Sequence, residues 1–315
     1  MINWKTVRQT LLGDRVDSVL PPDIKIPVLP KVLTEFLTRS KNENCTFQQL
    51  GSIIETDAGL TCELLRSLNS SRYGLKAKVT TVSQALSLLG LRNAKLLLLS
   101  EAIKHTMTQR ESRLINLQTF WNTNLERAFL ARRIAQRLNV DSELAFSAAM
   151  IQDFILPALT NEHTDFYSEF MSRSKTDTAE LVAAEHQHFG WDHTYVGARL
   201  LFDWEFPDEM IVCVLMHHAG FALFKNPLLS QTAATAVAVA GQLPDVLRQV
   251  PDGLDNLRHL EVIWPEFDLL MTARDVEADL ENVSVNKPRH HFSLYQRITK
   301  TDDLRPAAEA ECTRG

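Results

Sequence analysis

The chain has 315 residues, of which 45% are hydrophobic and 23% charged, with a formal net charge of −6. This is enough apolar material for one large core or two small ones, and too little charge, Pro and Gly for a disordered chain. The mildly acidic balance argues against a nucleic-acid backbone as the main partner. Residues 1–5 hold no apolar signal core, and the runs Leu96–Leu99 and Ala233–Ala240 fall well short of the roughly 20 residues that cross a bilayer. The expectation is a soluble, cytoplasmic protein with no membrane contact. Cys45, Cys62, Cys213 and Cys312 lie far apart and form no CxxC pair. They read as buried thiols in a reducing compartment rather than a disulfide framework or zinc knuckle.

Taken in order, the segments are helical. Ile2, Val7, Leu11 and Leu12 suit a short leading helix within residues 1–20, stopped by Pro21-Pro22. Val32, Leu33, Phe36 and Leu37 form an i, i+3, i+4 stripe. Thr46 with Gln49 is a capping-box signature ahead of Leu50, Ile53 and Ile54, and Asp57 can cap the helix through Leu60, Leu64, Leu65 and Leu68. Asn69 to Gly74 breaks that helix. The next, through Val82, Leu86 and Leu89, closes at Gly90, and a more apolar helix runs from Leu91 to Met107. Residues 77–81 could be extended, but no stretch alternates cleanly enough for a strand.

After a polar connection, a long helix carries Leu125, Phe129, Ile134 and Leu138. Asp141 or Ser142 caps the following one. Residues 161–178 mix polar and aromatic types without a clear period. A helix from Ala179 ends at Gly190, and Asp192 caps another through Val196, Leu200 and Leu201. Pro207, Asp208 and Glu209 make a good helix start, and that helix is expected to reach His217-His218. Another starts at Pro227 and continues to Gly241. Residues 252–282 read as one or two helices, and the chain from Asn286 as a loosely held tail.

The chemistry concentrates around residues 148–155, where an apolar run reaches Gln152 and Asp153. His193, His217 and His218 lie downstream and can converge on that carboxylate. One carboxylate with several imidazoles is a divalent-metal donor set. Neighbouring residues on a continuous helix point about 100° apart, which argues against His217 and His218 facing one ion. The plainer reading has the histidines hydrogen-bonded to nearby carboxylates and carbonyls. His186 and His188 face different ways on an exposed helix face. Arg127, Arg132, Arg133 and Arg137 read as a solvated face interrupted by Glu126, and His290-His291 have no site role. No glycine-rich phosphate loop, GxSxG elbow or Cys/His nucleophile pair is present.

Several segments together resemble the HDOD family, the HD-related output domains of bacteria. They are Leu64 to Gly74; Val82 to Leu91 with Arg92; Phe120-Trp121; Ala131 to Ala135; and Phe189 to His193. Val196-Gly197-Ala198, Leu200-Leu201, Trp204, Pro207 and His217-His218 complete the pattern, and the likeness spans roughly residues 20–245. It implies an all-α fold in which an N-terminal helical subdomain packs on a module related to HD phosphohydrolases. The expected division is a leading helix at 1–20, the N-terminal subdomain at 21–110, the HD-like subdomain at 111–250, and a C-terminal extension and tail at 251–315.

The resemblance also places the parent enzymes' metal ligands. The first histidine falls on Thr123, the His-Asp pair on Gln152-Asp153, and a later aspartate on Gly241. Three of these positions have lost a strong ligand, so the centre reads as vestigial, comprising Thr123, Gln152, Asp153, His193, His217, His218 and Gly241. The expected function is a non-catalytic signal-transduction or regulatory module that works through protein–protein contacts with signalling partners. A small molecule in the old pocket is a candidate input. No cofactor and no catalytic residue is expected. The competing reading is a metal-dependent phosphohydrolase with an atypical ligand set, its ion held by Asp153, His193, His217 and His218.

Overall fold

The structure is a computed structural model that describes residues 2–13, 29–42, 44–69, 75, 77–108, 112–173, 179–283 and 292–302. Among the described residues the regular elements are all helical, with no strand. The break expected at residues 69–74 and the histidines 290–291 lie outside them, apart from Asn69.

Side-chain caps set the starts of three of the first four helices. The Asn3 carboxamide accepts from the Thr6 amide at the head of α1 (Trp4–Leu12). Helix α2 (Lys31–Arg39) begins directly after Pro30. The full capping box of Thr46 and Gln49 opens α3 (Phe47–Ile54), and the Asp57 carboxylate accepts from Leu60 N ahead of α4 (Ala58–Leu68). Helix α5 (Val82–Thr108) breaks at Gly90, whose φ of 72° is open to glycine at little cost. The halves on either side match the two helices expected before and after Gly90, and Leu96 to Leu99 are all buried.

The second group of helices carries the candidate centre. Asn116 caps α6 (Leu117–Arg137) and Asp141 caps α7 (Ser142–Ile151). The segment without a clear sequence period contains the end of α8 (Leu156–Glu162) and all of α9 (Thr164–Ser172). After α10 (Leu181–Phe189), Gly190 takes the left-handed conformation. Asp192 then caps α11 (His193–Asp203). Helix α12 (Asp208–Leu215) stops at Leu215, so residues 216–218 form a turn and His217-His218 do not lie on a continuous helix. A 3₁₀ turn (Gly220–Lys225) leads to α13, which spans Ala233–Ala240 and so begins six residues after Pro227. Then come α14 (Gly253–Ile263), α15 (Leu269–Val283) and α16 (Leu294–Asp302). Within the segment read as a loose tail, α16 is anchored by buried Leu294 and Ile298.

Helices α6 and α7 make the central pair, and α13 packs on both. Every side chain of α13 is buried, because its run of alanines and valines lets neighbours approach closely. Each large apolar side chain so enclosed stabilises the fold by about 1.5–3 kcal/mol. Helix α5 meets α7, joining the two groups. Arg92 of α5 pairs with Asp141 and with Glu209 in the first turn of α12, while Arg8 of α1 pairs with Asp208 beside it. Helix α12 is thereby fixed at its start by two other helices, and its end delivers the paired histidines.

Of the α6 arginines read as a solvated face, Arg137 is exposed, but Arg127, Arg132 and Arg133 are engaged by other groups. Arg127 is 1% exposed and Arg132 7%. Arg132 pairs with Glu143 and lies over the Phe146 ring. Arg133 donates to Asp279 of α15 at 2.7 and 2.9 Å. Buried Glu126 accepts from the Leu294 amide of α16 at 2.5 Å. Arg133 and Glu126 thereby bind the C-terminal helices α15 and α16 to α6. Cys213 is buried as expected, but Cys45 is half-buried and Cys62 exposed. No helix among the described residues is long and apolar enough to cross a membrane.

Candidate metal centre and its ion network

Asp153 lies two residues beyond the end of α7, in the turn that leads to α8, and is fully buried. Four elements converge on it: α6, the N-terminus of α11, the turn after α12, and the segment after α13. Its two oxygens have different partners. Oδ1 accepts from His217 Nε2 at 3.0 Å and lies 3.4 Å from His193 Nε2. Oδ2 accepts from the Arg127 guanidinium and, at 3.0 Å, from Gln249 Nε2. Burial alone would raise the Asp153 pKa. The Arg127 guanidinium first, then His217 and His193, overcome that effect and hold the carboxyl well below the usual carboxylate range.

Arg127 is shared. Its Nη2 donates to Asp245 at 2.7 Å and to the Leu243 carbonyl at 2.8 Å, and its Nε to the same carbonyl at 3.2 Å. A planar fork with five donors suits this arrangement.

The histidines are oriented from behind. His193 Nδ1 lies 2.7 Å from Glu185 Oε2, and the other oxygen of Glu185 accepts from the Tyr167 hydroxyl at 2.6 Å. Burial works to lower the His193 pKa, but Glu185, with the hydrogen bonds to Asp153 and Glu185, raises it to about 10. His217 Nδ1 lies 2.6 Å from the Val214 carbonyl, so both of its ring nitrogens face oxygens. His218 Nε2 lies 3.2 Å from His193 Nε2 and 3.1 Å from Gln249 Oε1. Burial, then the charges of His217 and His193, push the His218 pKa well below its ordinary value.

All four residues singled out as candidate metal donors therefore meet. His217 and His218 meet because the helix ends before them, the break that sharing one centre required, and their ring centroids are 4.3 Å apart. The expectation that the histidines bond to carboxylates and carbonyls holds for His193 and His217.

One oxygen of Asp153 and one nitrogen from each histidine lie within 4.8 Å of one another. Ions with bonds of about 2.0–2.2 Å set adjacent ligands roughly 3.0–3.5 Å apart. The spacings among Asp153 Oδ1, His193 Nε2, His217 Nε2 and His218 Nε2 include 3.0, 3.4, 3.4 and 3.2 Å. The donor set thus fits one divalent ion on the Oδ1 side. It does not fit a second bridging ion, because Oδ2 faces Arg127 and Gln249.

The other three positions carry no carboxylate, imidazole or thiolate donor. Thr123 is buried, and its hydroxyl donates to the Thr119 carbonyl of its own helix at 3.1 Å. Gln152 is buried, and neither polar atom of its side chain has a hydrogen-bond partner among the described residues. At Gly241 an added Cβ would stand 2.4 Å from the His217 carbonyl oxygen, so no side chain fits without moving the backbone. His186 and His188 are exposed, as expected. Arg127, Glu185, Asp245, Gln249 and Tyr167 belong to the centre but were not among the sequence candidates.

The HDOD domain model matches residues 26–220. An uncharacterized protein of Treponema pallidum (strain Nichols) is 24% identical over 286 residues, which is 86% of this chain and 51% of that protein. The chain thus spans about half the length of this relative. Two solved structures share the fold. One, from Shewanella amazonensis and provisionally described as a phosphohydrolase, has 22% identity and a TM-score of 0.62, covering 82% of this chain and 94% of its own. The other, from Marinobacter aquaeolei and provisionally described as a signal transduction protein, has 19% identity and a TM-score of 0.54, covering 89% and 65%.

Proposed function

Because the chain belongs to the HDOD domain family, we propose that it is a regulatory output module whose Asp–His centre does not hydrolyse phosphoesters and which acts through contacts with signalling proteins. The observation that carries this reading is the commitment of Asp153. Fully buried, the carboxylate spends one oxygen on Arg127 and Gln249 and the other on imidazoles. His193 and His217 are also 0% exposed, so Asp153, His193 and His217 present no face to a phosphoester. Metal-assisted hydrolysis requires an ion that keeps an open coordination position.

The centre has one partly exposed member. His218 is half-buried as a residue, and its Nδ1, itself buried, has no hydrogen-bond partner among the described residues. A small ligand serving as input would reach the cluster there. Contacts with proteins are supported by exposed apolar side chains near the α14–α15 junction, Val262, Ile263, Leu270 and Met271. Surface of this kind is commonly covered by partners. These residues lie in the proposed C-terminal extension, beyond the proposed subdomains at 21–110 and 111–250.

The competing reading, a metal-dependent phosphohydrolase with an atypical ligand set, is favoured by the spacing of Asp153 Oδ1 and the three Nε2 atoms. An ion held there would lower the pKa of a bound water and polarise a phosphoryl oxygen. Around it Glu185 and the Val214 carbonyl would orient His193 and His217, the supporting contacts that metal-bound histidines need. The discriminating experiment is turnover of phosphomonoesters, phosphodiesters and nucleotides with Mn²⁺ or Mg²⁺ added. The regulatory reading expects none. Turnover that Asp153→Ala abolishes would establish the enzyme instead.

A further inference from the structure

We infer that the Arg127 guanidinium is the resident cation of this centre, doing for Asp153 what a metal ion would otherwise do, so that the cluster assembles and stays folded without a metal. Three observations carry the inference. First, Arg127 is 1% exposed, and a buried charge persists only where it is matched by opposite charge and hydrogen bonds. Its donors reach Asp153, Asp245 and the Leu243 carbonyl, so one group from α6 closes onto the α7–α8 turn and the segment after α13. A coordinated ion would make the same junction by gathering carboxylates.

Second, the guanidinium lies on the Oδ2 side of Asp153 and the imidazoles on the Oδ1 side. The carboxylate is therefore neutralised and oriented before any ion arrives. An ion entering on the Oδ1 side would meet a fixed positive charge on the same carboxylate, and like charges at such range oppose each other strongly in a buried site. Third, the backbone has closed around this arrangement. The Gly241 α-carbon lies so close to the His217 carbonyl that a Cβ would approach it to 2.4 Å. No side-chain ligand can enter from that position to offset the guanidinium.

The inference concerns what holds the centre together, and it stands or falls independently of whether the protein signals. The first measurement uses the unmodified 315-residue chain. Its thermal midpoint and near-UV circular dichroism should be unchanged by EDTA followed by gel filtration, within about 1 °C, and unchanged again when Zn²⁺, Ni²⁺ or Mn²⁺ is added. A midpoint that falls on chelation and returns with metal would overturn the inference, because the resident cation would then be the ion.

The second measurement uses Arg127→Met and Arg127→Lys. Removing the guanidinium should lower the midpoint and make it metal-responsive. Zn²⁺ or Ni²⁺ should bind Arg127→Met at least about tenfold more tightly than the unmodified protein and recover part of the lost midpoint. Arg127→Lys, which keeps the charge, should remain indifferent to metal. A merely structural arginine would lower the midpoint without creating the metal response, and that result would also refute the inference. Should Arg127→Met not fold, the chelation result on the unmodified protein decides the matter alone.

Discussion

Replacing Asp153 with alanine tests the ion network at its most connected point. The carboxylate accepts from Arg127, from Gln249 at 3.0 Å and from His217 at 3.0 Å, with His193 at 3.4 Å, and is 0% exposed. Breaking a buried pair by deleting one partner costs about 3–5 kcal/mol, because the remaining charge stays buried without compensation. Here Arg127 keeps Asp245 and the Leu243 carbonyl, which places the cost near the lower end, about 3 kcal/mol. With an unfolding entropy of about 2.1 cal/mol/K per residue over the 315-residue chain, the expected fall in midpoint is roughly 4–5 °C. Urea unfolding followed by circular dichroism at 222 nm reads the free energy directly. Combined with Arg127→Met, the two losses should sum to less than their separate values by about 0.5–3 kcal/mol, since each single variant already removes the pair. A loss below about 1 kcal/mol, within the range of an exposed pair, would refute the account of Asp153 as a buried keystone.

Two further expectations follow from the same residues. His193 has a folded pKa of about 10 against an ordinary 6.5, so its stabilisation is complete below about pH 6.5 and is lost as pH rises toward 10. His218 is held neutral, its pKa lowered, so its contribution is present above about pH 6.5 and is lost as pH falls. Stability should therefore peak near pH 6.5, and His193→Gln should flatten the alkaline limb in a urea-midpoint series, whereas an unchanged limb would show that another group is responsible. Gln152 is buried with both polar side-chain atoms unpartnered among the described residues. Gln152→Leu should raise stability by about 1–3 kcal/mol, while a loss of stability would mean that the amide is in use.

The fold was legible because its helices announce their own ends. Thr46 with Gln49, Asp57, Asp141 and Asp192 all cap as their sequence positions suggest, and these are local contacts set by neighbours in the chain. Segment 161–178 was opaque because the end of α8 and α9 are short and mixed in composition, so packing rather than periodicity forms them. At the centre, Asp153 and the three histidines could be found because a carboxylate in an apolar run and a His-His pair stand out by type. Arg127 and Glu185 could not, because each lies among other charged or polar residues that suggest an exposed face. A signal did exist. Arg127 falls on the stripe of Phe120, Ala131 and Ile134, and Glu185 on that of Leu181, all buried. A lone charge on an apolar stripe is more informative than a charge run. The convergence of His217 with His218 depended on one event, the end of α12 at Leu215, and nothing in the apolar run before it marks that stop.

The central claim is that the centre is held by its own charges, with Arg127 on Asp153, and not by a resident metal. The most direct measurement is elemental analysis of protein purified without chelator, for Fe, Mn, Zn and Ni, alongside Asp153→Ala. The account expects far less than one equivalent of any of them in both proteins. Stoichiometric, tightly held metal in the unmodified protein that disappears in Asp153→Ala would contradict it, and would identify Asp153, His193, His217 and His218 as the ligands of a working metal centre.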